Sequence, residues 1–280
     1  MISREILLPK EKKVAILTTK DNWMEYATDA FLEGETCILP VGCGAYILAG
    51  GISVHKKESR EVARLINTQK GRSPDRAVAY DMPPEEMPFW VDERYQERVG
   101  RVANKLMGRP FGIIAPVNEK VPEWHSKFDH LHKVHEKLFV WADMDNIGPL
   151  ADLYRYIREQ RKLSPADLTL IATSGNMSGL PNNNSFNKAY EQLGNSDGIA
   201  YAVMDPNEGG DYSDKPVTIV TALPWTRGRE KLFVIRSGSM KRTELQSLLP
   251  EATQKSTLGL MFYRFQVKLE ESIKSNILKR

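Results

Sequence analysis

A chain of 280 residues that is 41% hydrophobic and 27% charged, with a net charge of +3, has the make-up of a soluble globular protein with material for one large or two small cores. It has no run of eighteen apolar residues, and Met1-Ile2-Ser3-Arg4-Glu5 lacks a signal-peptide pattern, so no membrane partner and a cytoplasmic location are expected. Two cysteines, Cys37 and Cys43, are too few for a disulfide framework and lack a zinc spacing, and a mild positive charge permits nucleic-acid contact without requiring it.

Taken in order, Lys13 to Thr18 reads as a strand and Trp23 to Glu33 as a helix, with Asp21 placed to cap it and Gly34 to end it. Thr36 to Pro40 is a second strand that runs into the small-residue turn Val41 to Tyr46. Ser59 to Gln69 is a helix with Val62, Leu65 and Ile66 on one face and Gly71 at its C-terminal stop, so Lys70 and Arg72 leave the end of a packed helix. Strands are expected at Arg76 to Tyr80, Phe111 to Ala115, Lys137 to Trp141, Leu168 to Ala172, Gly198 to Val203, Val217 to Thr221 and Leu232 to Ile235. Helices are expected at Asp92 to Met107, Ile147 to Gln160 and Met261 to Leu278. Helices alternating with strands make this an α/β protein. One domain over residues 1–243 with a C-terminal helical extension over 244–280 is the expected organisation.

The strand from Leu168 runs into Thr173-Ser174-Gly175-Asn176-Met177-Ser178-Gly179. Its glycines allow φ > 0, and Ser174, Asn176 and Ser178, together with exposed backbone N–H groups, suit an anion such as phosphate. The same residue types also make ordinary turns. Lys70 and Arg72 pair a compact point charge with a planar fork of donors, which suits two oxygens of a polyphosphate; cations at a helix C-terminus also simply complement its dipole.

Lys70-Gly71-Arg72, then Thr173-Ser174-Gly175-Asn176-Met177-Ser178-Gly179, then Arg236-Ser237-Gly238 together resemble the YrdC family, the threonylcarbamoyl-AMP synthases of tRNA modification. Pro40 to Leu48 and Pro216-Val217-Thr218-Ile219-Val220 are similar to further family segments, so the resemblance covers roughly residues 25 to 245. It implies a twisted, open, mixed sheet with flanking helices around a large positive cavity. There, ATP and a metal-assisted condensation of bicarbonate with L-threonine give a mixed anhydride and pyrophosphate. By resemblance, Lys70, Arg72, Thr173, Ser174, Asn176 and Arg236 hold ATP, with Mg²⁺ on the polyphosphate, and Lys70, Arg72, Ser174 and Asn176 carry the catalysis.

The departures fall on the threonine side. Gly44, near Tyr46, stands where the family has a threonine hydroxyl, Asp81 where it has a histidine, Ala142-Asp143 where it has an arginine, and Val217 where it has a serine beside Thr218. One nucleotide-side threonine is also replaced, near Ile114. A carboxylate in place of an arginine reverses the sign of a site, at a cost on the order of 2 kcal/mol for the lost charge-assisted partner. The substrate-facing set Gly44, Tyr46, Asp81, Asp143 and Thr218 therefore points to a small-molecule acceptor other than L-threonine, with bicarbonate or carbamoyl phosphate as carbon donor.

Four histidines, His125, His130, His132 and His135, offer metal ligands or a proton relay, against the alternative of a solvated loop. The expected activity is that of an adenylate-forming, pyrophosphate-releasing nucleotidyltransferase. Two alternatives stand beside it: a genuine L-threonylcarbamoyl-AMP synthase, and a non-enzymatic module that binds RNA or a nucleotide through basic segments such as Arg94 to Lys105.

Overall fold

The computed structural model describes residues 14–41, 45–56, 59–74, 78–106, 111–116, 118, 133–134, 137–143, 148–181, 183–206, 218–221, 232–236, 240–250 and 252–254. The expected helix Met261 to Leu278 and the four histidines lie outside these residues. In chain order the elements are β1 (Ala15–Thr18), α1 (Trp23–Leu32), β2 (Thr36–Pro40), β3 (Tyr46–Ile52), α2 (Ser59–Gln69) and β4 (Ala79–Asp81). A 3₁₀ turn at Pro84–Glu86 leads to α3 (Met87–Trp90), α4 (Glu93–Leu106), β5 (Phe111–Pro116), β6 (Lys133–Val134) and β7 (Lys137–Asp143). Then come α5 (Pro149–Arg155), extended by a π-helical turn at Tyr156–Gln160, β8 (Thr169–Ser174), α6 (Phe186–Leu193), β9 (Ile199–Met204), β10 (Thr218–Thr221), β11 (Leu232–Arg236), α7 (Arg242–Leu248) and β12 (Ala252–Gln254). The α/β class is as expected. No helix among the described residues is long and apolar enough to cross a membrane.

The chain divides into two compact units, one formed mainly by residues up to 78 and 147–214, the other mainly by 79–126, 132–146 and 215 onward. In the first, the strands lie in the order β1-β9-β2-β3-β8. β9 is parallel to both β1 and β2, whereas β3 is antiparallel to β2 and β8, which makes the sheet mixed. Trp23, Ala27 and Phe31 of α1 and Leu150, Leu153 and Ile157 of the α5 segment close one face over Cys37, Leu39, Ala49, Leu170 and Ala172. Each large apolar side chain so buried contributes about 1.5–3 kcal/mol. Cys37 is wholly buried, and desolvation pushes its thiol far above the ordinary range, so it behaves as a small core hydrophobe.

Gly50 and Gly51 of β3 decide how closely the helices approach. Successive strand residues face opposite sides of a sheet. A Cβ on Gly50 would lie 2.4 Å from Val62 Cγ1 of α2, and one on Gly51 would lie 2.6 Å from Phe31 Cβ of α1. The missing side chains let α2 settle directly on β3, with its C-terminus carried toward the end of β8.

The helix starts and stops are partly as expected. Gly34 ends α1 at φ 82° and Gly71 follows α2 at φ 64°. Asp21 does not cap α1; Asn22 occupies the cap position without a side-chain bond. The Asp21 carboxylate instead accepts from Thr18 N (2.7 Å) and Thr18 Oγ1 (2.9 Å), bonds that hold its pKa below the usual value. In this way it closes the β1–α1 turn rather than the helix.

In the second unit the strand order is β12-β11-β10-β5-β7-β6, with β10 parallel to β5 and antiparallel to β11, and β5 antiparallel to β7. α4 buries Val99, Val102, Ala103 and Leu106, a stripe at helical spacing. The boundary expected after residue 243 falls within α7, and beyond it β12 pairs in parallel with β11.

Candidate functional site

Lys70 and Arg72 are aimed by the way α2 ends. Gly71 N donates to Thr68 O (2.9 Å) and Arg72 N to Asn67 O (2.8 Å), the paired bonds of a Schellman stop, with Gly71 in the left-handed conformation that such a stop requires. The stop is anchored by Gln69 Nε2, which donates to Thr36 Oγ1 (2.8 Å) and Asp197 O (2.9 Å), and by Asn67 Nδ2, which donates to Pro74 O (3.2 Å). The chain therefore turns back on itself, and both basic side chains are directed at the C-terminal end of β8.

The sequence has both cations leave the end of a packed helix; in the structure Lys70 is 0% exposed. Its Nζ donates to Ser174 O, to Ser174 Oγ (3.3 Å) and to Asn176 Oδ1 (3.5 Å). Burying an ammonium is costly unless its donors are met, and these three uncharged oxygens meet them. Arg72 is half-buried, and its Nη1 donates to Thr173 Oγ1 (3.1 Å). Thus Lys70, Arg72, Thr173, Ser174 and Asn176 form one constellation, with Thr173, Ser174 and Arg72 as its partly reachable members.

The backbone of this loop differs from the sequence expectation. Gly175 N donates to Tyr46 O (2.7 Å), Asn176 N to Ser174 O (2.9 Å), Met177 N to Gln192 Oε1 (2.9 Å) and Ser178 N to Lys70 O (3.2 Å). The N–H groups of residues 175–178 thus serve the loop's own architecture, and the donors offered outward are side chains. Glycine at 175 is required for a different reason as well: its φ is not positive, but a Cβ there would lie 2.8 Å from Tyr46 O. The positive φ belongs to Gly179, at 88°. Asn176 is 4% exposed, and its Nδ2 donates to Leu180 O (2.6 Å) and Met177 O (3.1 Å), which fixes the carboxamide so that Oδ1 faces Lys70.

Solved structures with this architecture exist at low sequence identity. The crystal structure of P. abyssi Sua5 complexed with L-threonine superposes at TM-score 0.61 and 17% identity over 86% of this chain and 62% of that one. The E. coli YciO structure superposes at 0.55 and 14% identity, over 83% of this chain and 98% of that one. The fold is YrdC-like. The full-length HypF structure in the phosphate- and nucleotide-bound form superposes at 0.51 and 18% identity, over 77% of this chain and 29% of that one. This chain spans a little under two thirds of the length of the Sua5 chain. No family model matches the sequence, and no curated protein sequence does.

The remaining sequence-predicted residues of the YrdC-like fold are placed as follows. Tyr46 is 1% exposed, its ring lies edge-on to Phe186 at 6.0 Å, and its hydroxyl accepts from Asp205 N (3.2 Å). It supports the loop from behind. Asp81, Asp143, Thr218 and Arg236 belong to the second unit. Asp81 ends β4 and is buried. Backbone register sets Arg236 opposite Ile219, Ile219 opposite Gly112 and Gly112 opposite Asp143. Arg236 and Asp143 therefore share one row across the second sheet, three strand spacings or about 14 Å apart. Thr218 is one residue before that row on β10, opposite Phe111. Gly44 and Val217 lie outside the described residues.

Sequence reasoning missed Asn183 and Gln192. Asn183, 2% exposed, donates from Nδ2 to Gly175 O (2.6 Å), and Gln192 Nε2 donates to Asn183 Oδ1 (3.2 Å). The available signal is weak: an Asn-rich run after Pro181 reads as a turn.

Proposed function

We propose that this chain is an ATP-binding, adenylate-forming enzyme that acts on a carbamoyl or N-carboxy group and uses an acceptor other than L-threonine. The observation that carries the reading is the convergence of a buried lysine, an arginine, two hydroxyls and a carboxamide at the end of β8, on a fold that superposes with a nucleotide-bound HypF structure. That donor set fits a polyphosphate: cations offset its charge and neutral donors fix its geometry.

In this reading bicarbonate and an amine condense to a carbamate with loss of water, or water hydrolyses carbamoyl phosphate to carbamate and phosphate. A carbamate oxygen then attacks the α-phosphorus of ATP, the bond from that phosphorus to the α,β-bridging oxygen breaks, and pyrophosphate leaves with the electron pair. Arg72, with its reachable fork, holds the outer phosphates and offsets the charge that develops on the leaving pyrophosphate. Thr173 and Ser174 hydroxyls orient the α-phosphate region. Lys70 contributes positive potential from beneath and holds Ser174 and Asn176 in place. Among the described residues no group of three His, Cys, Asp or Glu side chains forms a metal site; Mg²⁺ would accompany the polyphosphate and would offset its charge through few protein ligands.

The carboxylates Asp81 and Asp143 and the uncharged Gly44 and Val217 support an acceptor that is neutral or cationic rather than one carrying a free carboxylate. The Sua5 structure complexed with L-threonine supports a second reading, L-threonylcarbamoyl-AMP synthesis. Pyrophosphate release from ATP·Mg²⁺ separates them when measured with bicarbonate plus L-threonine, with bicarbonate plus other amines, and with carbamoyl phosphate. The expected result is release with an amine or with carbamoyl phosphate and none that depends on threonine. Threonine-dependent release, or submillimolar threonine affinity, returns the protein to the second reading. No release with any donor, together with RNA binding that falls steeply with salt, makes it a binding module.

A further inference from the structure

We infer that Asn183 and Gln192 are positioning residues that brace the loop on both sides of Asn176 and so set the geometry of the nucleotide-facing side chains; the ligand half of this inference rests on the reading above. Gln192, near the C-terminal end of α6, grips the loop in two ways. Its Oε1 accepts from Met177 N at 2.9 Å, directly after Asn176. Its Nε2 donates to Asn183 Oδ1 at 3.2 Å, and Asn183 Nδ2 in turn donates to Gly175 O at 2.6 Å, directly before Asn176. The Asn183 carbonyl also accepts from Tyr46 N at 3.2 Å, while Tyr46 O accepts from Gly175 N at 2.7 Å. Two carboxamides thus close a ring through α6, the segment before it, β3 and the loop.

Each amide uses its donor and its acceptor in a fixed sense, so the ring has a direction. A carboxamide that both donates and accepts is needed at each position, and neither a carboxylate nor an aliphatic group reproduces it. The consequence reaches the site through Asn176: with residues 175 and 177 held, its carboxamide stays aligned with Lys70 Nζ, and Ser174 keeps the place where Lys70 bonds both its carbonyl and its hydroxyl. Active groups are held to productive geometry by such supporting bonds.

The test compares wild type with Gln192→Ala, Gln192→Glu, Asn183→Ala and Asn183→Asp in the full chain, reading amide hydrogen exchange at Met177 and ATP affinity by calorimetry. Gln192→Glu keeps the acceptor for Met177 N and loses only the donor to Asn183; Asn183→Asp keeps the acceptor for Gln192 and loses the donor to Gly175. Expected is at least tenfold faster exchange at Met177 in Gln192→Ala, largely restored in Gln192→Glu, with Ile171 in β8 unchanged. ATP affinity should fall at least tenfold in both alanine variants and in Asn183→Asp, with near wild-type thermal stability for the half-buried Gln192 position. Unchanged Met177 exchange in folded Gln192→Ala overturns the brace. Faster exchange with unchanged ATP affinity overturns its positioning role and leaves a purely structural one. A wild type that binds no ATP overturns the nucleotide reading instead, and the exchange comparison still decides the brace.

Discussion

Lys70→Ala is expected to lower the unfolding free energy by about 2–4 kcal/mol, and Lys70→Met by clearly less. The alanine variant opens a cavity where a wholly buried four-carbon stem now packs, a change of the large-to-small kind that costs several kcal/mol in a core. It also leaves the buried Asn176 Oδ1 without the ammonium it accepts from, at roughly 1–3 kcal/mol for a buried acceptor left unmet, while the half-buried Ser174 O and Ser174 Oγ lose the same donor. Methionine fills most of the volume and removes a buried charge along with its desolvation cost, so only the acceptor penalty remains. Both variants should lose ATP affinity to a similar extent, because both lack the charge. Urea denaturation with a shared m-value measures the stabilities; alanine and methionine variants equal to wild type would show that Lys70 is not packed as described.

Gly175→Ala is expected to cost about 1–3 kcal/mol, the usual range for overpacking a filled site, and Gly175→Val more, to the point of failed folding. The obstacle is backbone: the added Cβ meets Tyr46 O at 2.8 Å and Tyr46 C at 2.9 Å, and Tyr46 lies within the buried strand β3. The 2.7 Å bond from Gly175 N to Tyr46 O has to lengthen or break before the methyl group can fit. Gly100 supplies the contrast in the same protein. It sits inside α4 with nothing within 4 Å of an added Cβ, so Gly100→Ala should stabilise by about 0.5–1 kcal/mol through helix propensity. Thermal unfolding of the two alanine variants checks the pair, and equal effects at both positions would contradict the packing described at Gly175.

The features legible in the sequence were those with local causes. The α2 periodicity and its glycine stop are visible because amphipathic spacing and a C′ glycine act within a few residues. The apolar run of β8 and the loop after it are visible for the same reason. β3 is hard to read from sequence because Gly50 and Gly51 break the pattern of a strand, although those two residues are what let α1 and α2 approach the sheet. The burial of Lys70 was not legible, since a lysine past a helix end reads as solvated; only the fold of β8 against it supplies the three oxygens. Asn183 and Gln192 are invisible for a related reason. Their partners stand eight and fifteen residues away in sequence, and no local periodicity encodes a bond of that reach.

Arg72 tests the central claim most directly, because it is half-buried whereas Lys70 is wholly buried. Calorimetric titration of ATP·Mg²⁺ into wild type, Arg72→Ala and Arg72→Lys should show saturable binding by wild type. A loss of tenfold or more is expected in the alanine variant, with partial recovery in the lysine variant, which restores the charge but not the planar fork. Equal ATP affinity in wild type and folded Arg72→Ala, or no ATP binding by wild type at all, would contradict the assignment of this constellation to a polyphosphate.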